Sequence, residues 1–291
     1  MKPTVKDRLI FFGPLLVLPG LLVAWPLLEV AGLSFRNRVV LFGIDRWAGL
    51  ENFAYLLGED LRFARALGNT LYFTGLSVGL EFVLGLAFAL YLRFGRTGFW
   101  LKVVLLLPWA IPNVVSARLW QWMFDAESGI VNYALYAMGV IDTPVAWLST
   151  PALAIHSAIL ADVWKTTPFM ALLLYAGLQR VPENLIRAAR VDRTPPMRFL
   201  FRILLPQLRP VVMTALILRL LDAFRVFDLI YVMTGGGPAN GTETLSIYAY
   251  RTMFQSLQFG YGSAIAVIQV FVMLVLAGSV VRALKRKRSR A

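Results

Sequence analysis

Apolar residues in this chain gather in blocks of about twenty, the length that spans ~30 Å of hydrocarbon as a helix. Such blocks occupy residues 9–30, 69–92, 103–124, 151–178, 211–234 and 260–284. The pattern predicts an all-α polytopic membrane protein with six transmembrane helices, residues 1–291 forming a single transmembrane domain. A cleaved signal peptide is the other reading of the first block, but its apolar run is longer than a typical h-region of about 7–15 residues. Pro108 and Pro112 break the third block. The segment 31–68 is mixed, and Leu50 to Leu57 within it reads as a short interfacial helix. Residues 93–102 form a short basic turn. Residues 125–150 hold no Lys or Arg and include an amphipathic stretch at 129–140.

The distribution of positive charge orients the helices. The N-terminus, the 93–102 turn, the 180–209 segment and the tail from Arg282 carry nineteen Lys and Arg; the alternate loops carry six. Cytoplasmic loops are the richer in Lys and Arg, so both termini are cytoplasmic, which an even number of spans satisfies. Cleavage of the first block would leave five spans and an outside N-terminus. The formal net charge of +13 is thus explained by loop arginines, not by nucleic-acid binding. Composition agrees: 58% of residues are hydrophobic and 15% charged, against about 25% charged in soluble domains. There are no cysteines, which removes disulfides, thiolate metal sites and cysteine catalysis.

The polar exception in the chain is 179–210, the cytoplasmic stretch before the fifth block. It reads as two short helices around Pro195-Pro196. Pro182 suits a first helical turn, and Glu183 suits its dipole. Thr194 is placed to cap the second helix, with Pro195 at its first position, and Pro206 and Pro210 to end it before the fifth span. Phe199, Phe201, Ile203 and Leu205 supply apolar contact, while Arg198, Arg202 and Arg209 stay wet. An ordinary interfacial amphipathic helix is the plainer account of such a segment.

Its residues go further. Arg187-Ala188-Ala189, Asp192, and then Phe201, Ile203, Leu205 and Pro206 resemble the EAA loop of ABC importer permeases, E-A-A-x-x-D-G-A, six variable positions, F-x-I-x-L-P. The whole chain is similar to permeases of the maltose and trehalose type, and residues 162–170 and 221–238 add to the resemblance. Arg187 and Arg193 stand where the motif has Glu and Gly. The resemblance implies a permease subunit in the cytoplasmic (inner) membrane that carries a carbohydrate, such as trehalose or maltose. Its implied partners are a second permease in a heterodimer, two ATPase subunits and an external solute-binding protein, besides the sugar and membrane lipid. Arg187, Ala188, Ala189, Asp192, Arg193, Phe201 and Pro206 would couple it to the ATPase. The chain has no G-x-x-x-x-G-K-[ST] loop, so it holds no cofactor of its own; ATP and Mg would bind the partner. The alternatives are a permease for another solute, such as glycerol phosphate or a polyol, and an ion-coupled secondary transporter. A membrane enzyme has no catalytic cluster to support it.

Charges at bilayer depth cost at least ~2.5–3.5 kcal/mol each on insertion scales, so they face a protein interior or a wet cavity. Asp162, Arg219 and Asp222 fall near mid-bilayer, with Glu81 near the same level. Arg219, Asp222, Arg225 and Asp228 alternate in sign at three-residue steps, as neighbours that neutralise one another. This is either an ion network that holds the bundle or part of a sugar pathway. The resemblance favours Asp162, Thr166, Phe169, Arg219 and Asp222 as substrate contacts, with Arg225 and Asp228 structural or gating. His156 reads as a hydrogen-bonded packing residue, and no metal site is expected. Trp25, Trp100, Trp120, Trp122 and Trp147 read as interfacial anchors. Gly260, Gly262, Ser263 and Ala264 suit tight helix contact, as with a second permease. Residues 235–241 read as a flexible outer loop that touches the solute-binding protein.

Overall fold

The computed structural model describes residues 19–95 and 98–286. It is predominantly helical, with one two-stranded sheet among the described residues. Two compact units divide the chain: residues up to 64 with 248–271, and residues 65–247 with 272–291.

In the first unit, α1 (Gly20–Ser34) is an apolar helix that continues four residues past the expected end at 30. Residues 9–18 of the expected first span lie outside the described residues. An antiparallel hairpin follows, β1 (Arg36–Val39) paired with β2 (Ile44–Trp47). Gly43 turns it at φ 63, which glycine adopts without steric cost. The expected short helix is α2 (Glu51–Gly58). Asp60 then starts α3 (Leu61–Phe94), its Oδ1 accepting from the backbone N–H of Arg62 and Phe63 at 2.9 Å each. This side-chain cap is why the helix begins eight residues before the apolar block. Asp60 Oδ2 accepts from Tyr248 Oη at 2.6 Å and from Tyr261 Oη.

The second unit holds the rest of α3 and the broken third span, α4 (Phe99–Ala110) and α5 (Asn113–Met123), bent by 92°. Only Pro112 makes the break. It forces Ile111 to ψ 132, as the residue before proline is pushed out of the α region. Pro108 stays inside α4. Residues 125–150 contain α6 (Ile130–Ala137), clipped by Asn132, which donates to the Ala126 and Val145 carbonyls and accepts from Val145 N–H and Trp147 Nε1. Thr150 caps α7 (Pro151–Gln179), with Pro151 at its first position.

Residues 179–210 contain α8 (Glu183–Val191) and the start of α9 (Pro196–Phe224). Here the expectation needs correction: Pro206 and Pro210 do not end a second short helix. The helix runs through them as one 29-residue element, and Phe199–Leu204 widens to π form just before. That widening re-spaces the Arg202 carbonyl, which Pro206 leaves without its i+4 N–H partner. Pro195, not Thr194, is the N-cap position, and no side chain caps it. The fifth span is also shorter than expected. It stops at Phe224, and α10 (Asp228–Met233) restarts after a turn. Neither Gly nor Pro marks this break; Thr244 Oγ1 donates to the Val226 carbonyl it frees, at 3.2 Å. The chain continues through α11 (Leu245–Tyr250) to α12 (Phe259–Arg286).

Among the described residues, four helices can cross a membrane by length and composition, α3, α7, α9 and α12, or five if α4 and α5 count as one bent span. In the second unit two apolar clusters bracket one level of α3, α7 and α9. One contains Phe73, Trp120, Phe124, Ile159 and Ile230; the other contains Leu86, Met170, Leu174, Leu204 and Leu208. Gly85 allows α3 to approach α7, since a Cβ there would meet Met170 Cγ at 2.6 Å.

Candidate functional site

Between those apolar clusters sits Arg219, whose side chain is 3% exposed. Its Nε donates to Glu81 Oε2 at 2.5 Å and its Nη2 to Oε1 at 2.7 Å. This two-pronged geometry fits a planar guanidinium to a carboxylate. The same guanidinium reaches Asp222 Oδ2 at 2.5 Å and Asp162 Oδ2 at 3.1 Å. Thr166 Oγ1 lies 2.7 Å from Glu81 Oε1 and 2.6 Å from the Asp162 carbonyl, its single proton serving either acceptor. Three helices thus meet through one cation. Taking charges out of water is tolerable when each is paired and its remaining donors are satisfied.

All five expected substrate residues, Asp162, Thr166, Phe169, Arg219 and Asp222, line one cavity of about 520 Å³. They do not stand equally in it. Arg219 forms the floor, with Glu81 fully buried behind it, whereas the Asp222 side chain is 56% exposed. Lys165, Asn113, Arg225, Phe227 and Asp228 also line the cavity. The alternating ladder holds as far as Arg225, whose Nη2 is 3.4 Å from Asp222 Oδ1. It fails at Asp228, because the helix breaks there; Asp228 instead accepts from Asn113 Nδ2 at 3.4 Å. Trp109 was not foreseen. It stacks on Phe169 with centroids 5.7 Å apart and planes 15° from parallel, giving the cavity an aromatic wall. The sequence signal was its position between the two prolines of a broken span.

Within residues 179–210, α8 turns its apolar side inward through Ile186 and Ala189. Arg187, Ala188, Asp192 and Arg193 are exposed, as is Phe201; Pro206 is partly buried. Two expectations change. Ala189 packs within its own chain, leaving Ala188 as the small residue on the outer face. Phe201 is largely exposed, and Leu204 is the buried residue of that turn. Helix α8 ends in a Schellman turn: Thr194 N–H donates to the Ala189 carbonyl at 2.9 Å and Arg193 N–H to the Arg190 carbonyl at 3.1 Å. Arg193 therefore occupies the left-handed position, at φ 46. Glu183 at the other end of α8 pairs with Arg93 of α3. That guanidinium holds the Glu183 carboxyl below the ordinary range. Phe94 meets Phe199 edge-on at 6.2 Å beside it.

The remaining expectations sort cleanly. His156 is a packing residue, with Nε2 2.7 Å from Tyr72 Oη and Nδ1 2.6 Å from the Ala152 carbonyl. Trp120 is buried among core residues, Trp147 is half-buried and donates to Asn132 Oδ1, and Trp25, Trp100 and Trp122 are exposed. Residues 235–241 form a tethered loop. Asn69 Nδ2 donates to the Asn240 and Glu243 carbonyls, and Thr242 Oγ1 to the Gly237 carbonyl. Gly260, Gly262, Ser263 and Ala264 are buried inside their own unit, where a Cβ on Gly260 would strike the Arg36 carbonyl.

Comparison with known proteins places this geometry in context. Residues 81–290 match the family described as binding-protein-dependent transport system inner membrane component. The trehalose/maltose transport system permease protein MalF of Thermococcus litoralis is 40% identical over 277 residues, 93% of this chain and 92% of that protein. The trehalose transport system permease protein SugA of Mycobacterium tuberculosis is 38% identical over 94% of this chain and 87% of its own length. Among solved structures, a chain of a bacterial ABC transporter involved in the import of the acidic polysaccharide alginate has the same fold. Its TM-score is 0.81 over 97% of both chains, at 23% identity.

Proposed function

The chain belongs to the family of binding-protein-dependent transport system inner membrane components, and from that premise we propose that it is the sugar-conducting permease of an ABC importer for a neutral di- or oligosaccharide. Membership makes it a transporter subunit of the inner membrane, not an enzyme. Its substrate class is read from relatives whose names specify trehalose and maltose, and from the chemistry of the cavity. Sugars are recognised by planar polar groups and by aromatic faces. Asp162 and Asp222 offer carboxylate acceptors, Lys165 and Asn113 offer donors, and Trp109 with Phe169 offers a flat apolar wall.

The charge balance favours a neutral solute over a glycerol phosphate. Asp162, Asp222 and Asp228 in the lining are matched by Lys165, Arg219 and Arg225, and Glu81 adds a further negative charge behind them. Nothing in that set is left over for a dianion. The cavity on α4, α7 and α9 is the observation that carries this reading.

Both termini lie in the cytoplasm, six spans cross the membrane, and residues 1–291 act as one permease domain paired with a second, different permease. The 179–210 stretch seats on an ATPase subunit. Arg187, Ala188, Asp192, Arg193 and Phe201 make the contact; Ala189 and Pro206 shape the element that carries them. ATP closure on two ATPase subunits moves α8, and through it α3 and α9. A solute-binding protein delivers the sugar from outside.

Uptake of labelled disaccharide tests the site. Asp162→Asn and Asp222→Asn should each lower uptake at least tenfold while the protein still co-purifies with an ATPase and a second permease. Unchanged uptake in both variants would remove the site assignment, and purification as a solitary active carrier would remove the ABC reading.

A further inference from the structure

The β1–β2 hairpin carries an apolar tip that its own fold leaves uncovered. Val40, Leu41 and Phe42 are consecutive, and Leu41 and Phe42 are 65% and 73% exposed. Residues 39–44 contain no charge, whereas the base of the hairpin is held by ion pairs of Arg36 with Asp45 and Arg46 with Glu51. A soluble loop would place polar or turn-forming residues at such a tip. Consecutive large apolar side chains on a surface mark a contact.

The mounting of the hairpin says which contact. β1 lies against the start of α12: its backbone at Arg36 leaves no room for a Cβ on Gly260, Val39 bridges to Gln258, and Val40 N–H donates to the Leu257 carbonyl at 3.0 Å. Helix α12 is a candidate membrane span that begins at Phe259. The tip is thus two residues beyond a point fixed at the end of a span, in a 3-10 turn that rises about 4 Å over those two residues. The headgroup zone is itself only about 5–8 Å deep on each side of the hydrocarbon. At the root of the hairpin Trp47 stacks on Phe35, with centroids 6.0 Å apart, directly after the apolar α1. Aromatic residues at this level are typical of the membrane–water boundary.

We infer that the hairpin is a membrane-surface anchor whose Leu41 and Phe42 insert into the lipid boundary beside the start of α12. The bilayer is the occupant the geometry favours, because the tip is fixed beside the first residues of an apolar candidate span, and α1, which leads into the hairpin, also exposes Leu27 and Leu28. Insertion of that face fixes the hairpin, and the hairpin in turn holds α1 against the start of α12. The inference rests on the membrane location of the family and not on the sugar site.

The absence of native cysteine makes the test direct. Leu41→Cys and Phe42→Cys, each carrying a nitroxide, are placed in the full chain, assembled with its partners in phospholipid vesicles. Glu59→Cys, on an exposed residue of the neighbouring turn, is the reference. The inference predicts that both tip labels collide severalfold more with oxygen than with a water-soluble nickel chelate, and that lipid-borne spin labels broaden their signals, while Glu59→Cys shows the opposite preference. Three results would overturn it: tip labels as accessible to nickel as the reference, labels immobilised only on addition of the solute-binding protein, or labels buried in the vesicle-free complex because a second permease covers them.

Discussion

At the residue scale the account turns on Arg219 and on Arg193, for opposite reasons. Arg219 is buried and answers to Glu81, Asp162 and Asp222. Removing one member of a buried ion pair costs about 3–5 kcal/mol, because the partner charge is stranded. Arg219→Met should therefore lower unfolding stability by that amount in detergent, and Arg219→Lys should not restore it, since a point charge cannot match the fork. Asp162→Asn keeps a polar partner and should cost less stability than transport. Arg193 is a side chain in a backbone position suited to glycine. An L residue there is strained by about 1–2 kcal/mol. Arg193→Gly should raise stability by about 1 kcal/mol and slow proteolysis after α8. The sequence disclosed that a charge stands where the family motif has glycine. It could not disclose the strain, which depends on the Schellman turn actually closing.

Elements were legible where one local signal dominated. The Leu50 to Leu57 helix, the 129–140 helix, the span from Pro151 and its Thr150 cap follow from period, cap and proline position. Reading failed where a distant contact decided. Pro206 and Pro210 looked like stops, yet α9 absorbs them through a widened turn. The break after Phe224 has no local breaker and relies on Thr244, eighteen residues away. The hairpin was missed because its strands are four residues each, too short for alternation to declare itself, and its register leans on Gln258. Asp60 joins the start of α3 to α11 and α12. Burial pushes its carboxyl up, but hydroxyls from Tyr248 and Tyr261 and the backbone of Phe63 and Arg62 outweigh it and hold it below the ordinary range. A depressed folded value contributes stability that is full above the unfolded pKa of about 3.9 and is lost as pH falls through the folded one. Asp60→Ala should cost about 1 kcal/mol at neutral pH as a lost cap, and the difference from wild type should shrink below pH 4 in an unfolding series. The Arg93–Glu183 tie has the same sign. It is surface-exposed on the Glu183 side, and α8 should loosen from α3 as acid protonates that carboxyl, read as faster amide exchange in residues 183–191.

For the whole molecule, class and family were readable early because bilayer length, charge bias and a long motif are global patterns that no single contact can override. The site was readable in part. Charges at one depth on separate helices had to meet, and Asp162, Arg219 and Asp222 do. Which of them is floor and which faces the cavity depended on Glu81, whose role only packing reveals. The central claim is that this chain supplies the path while another supplies the energy, through the exposed face of α8. Asp192→Cys in the cysteine-free chain measures it directly, by reaction with a membrane-impermeant thiol reagent in vesicles of known sidedness. The account predicts labelling from the cytoplasmic side alone, and protection when the ATPase is bound. Labelling from the outside, or cytoplasmic labelling that the ATPase leaves unchanged, would contradict it.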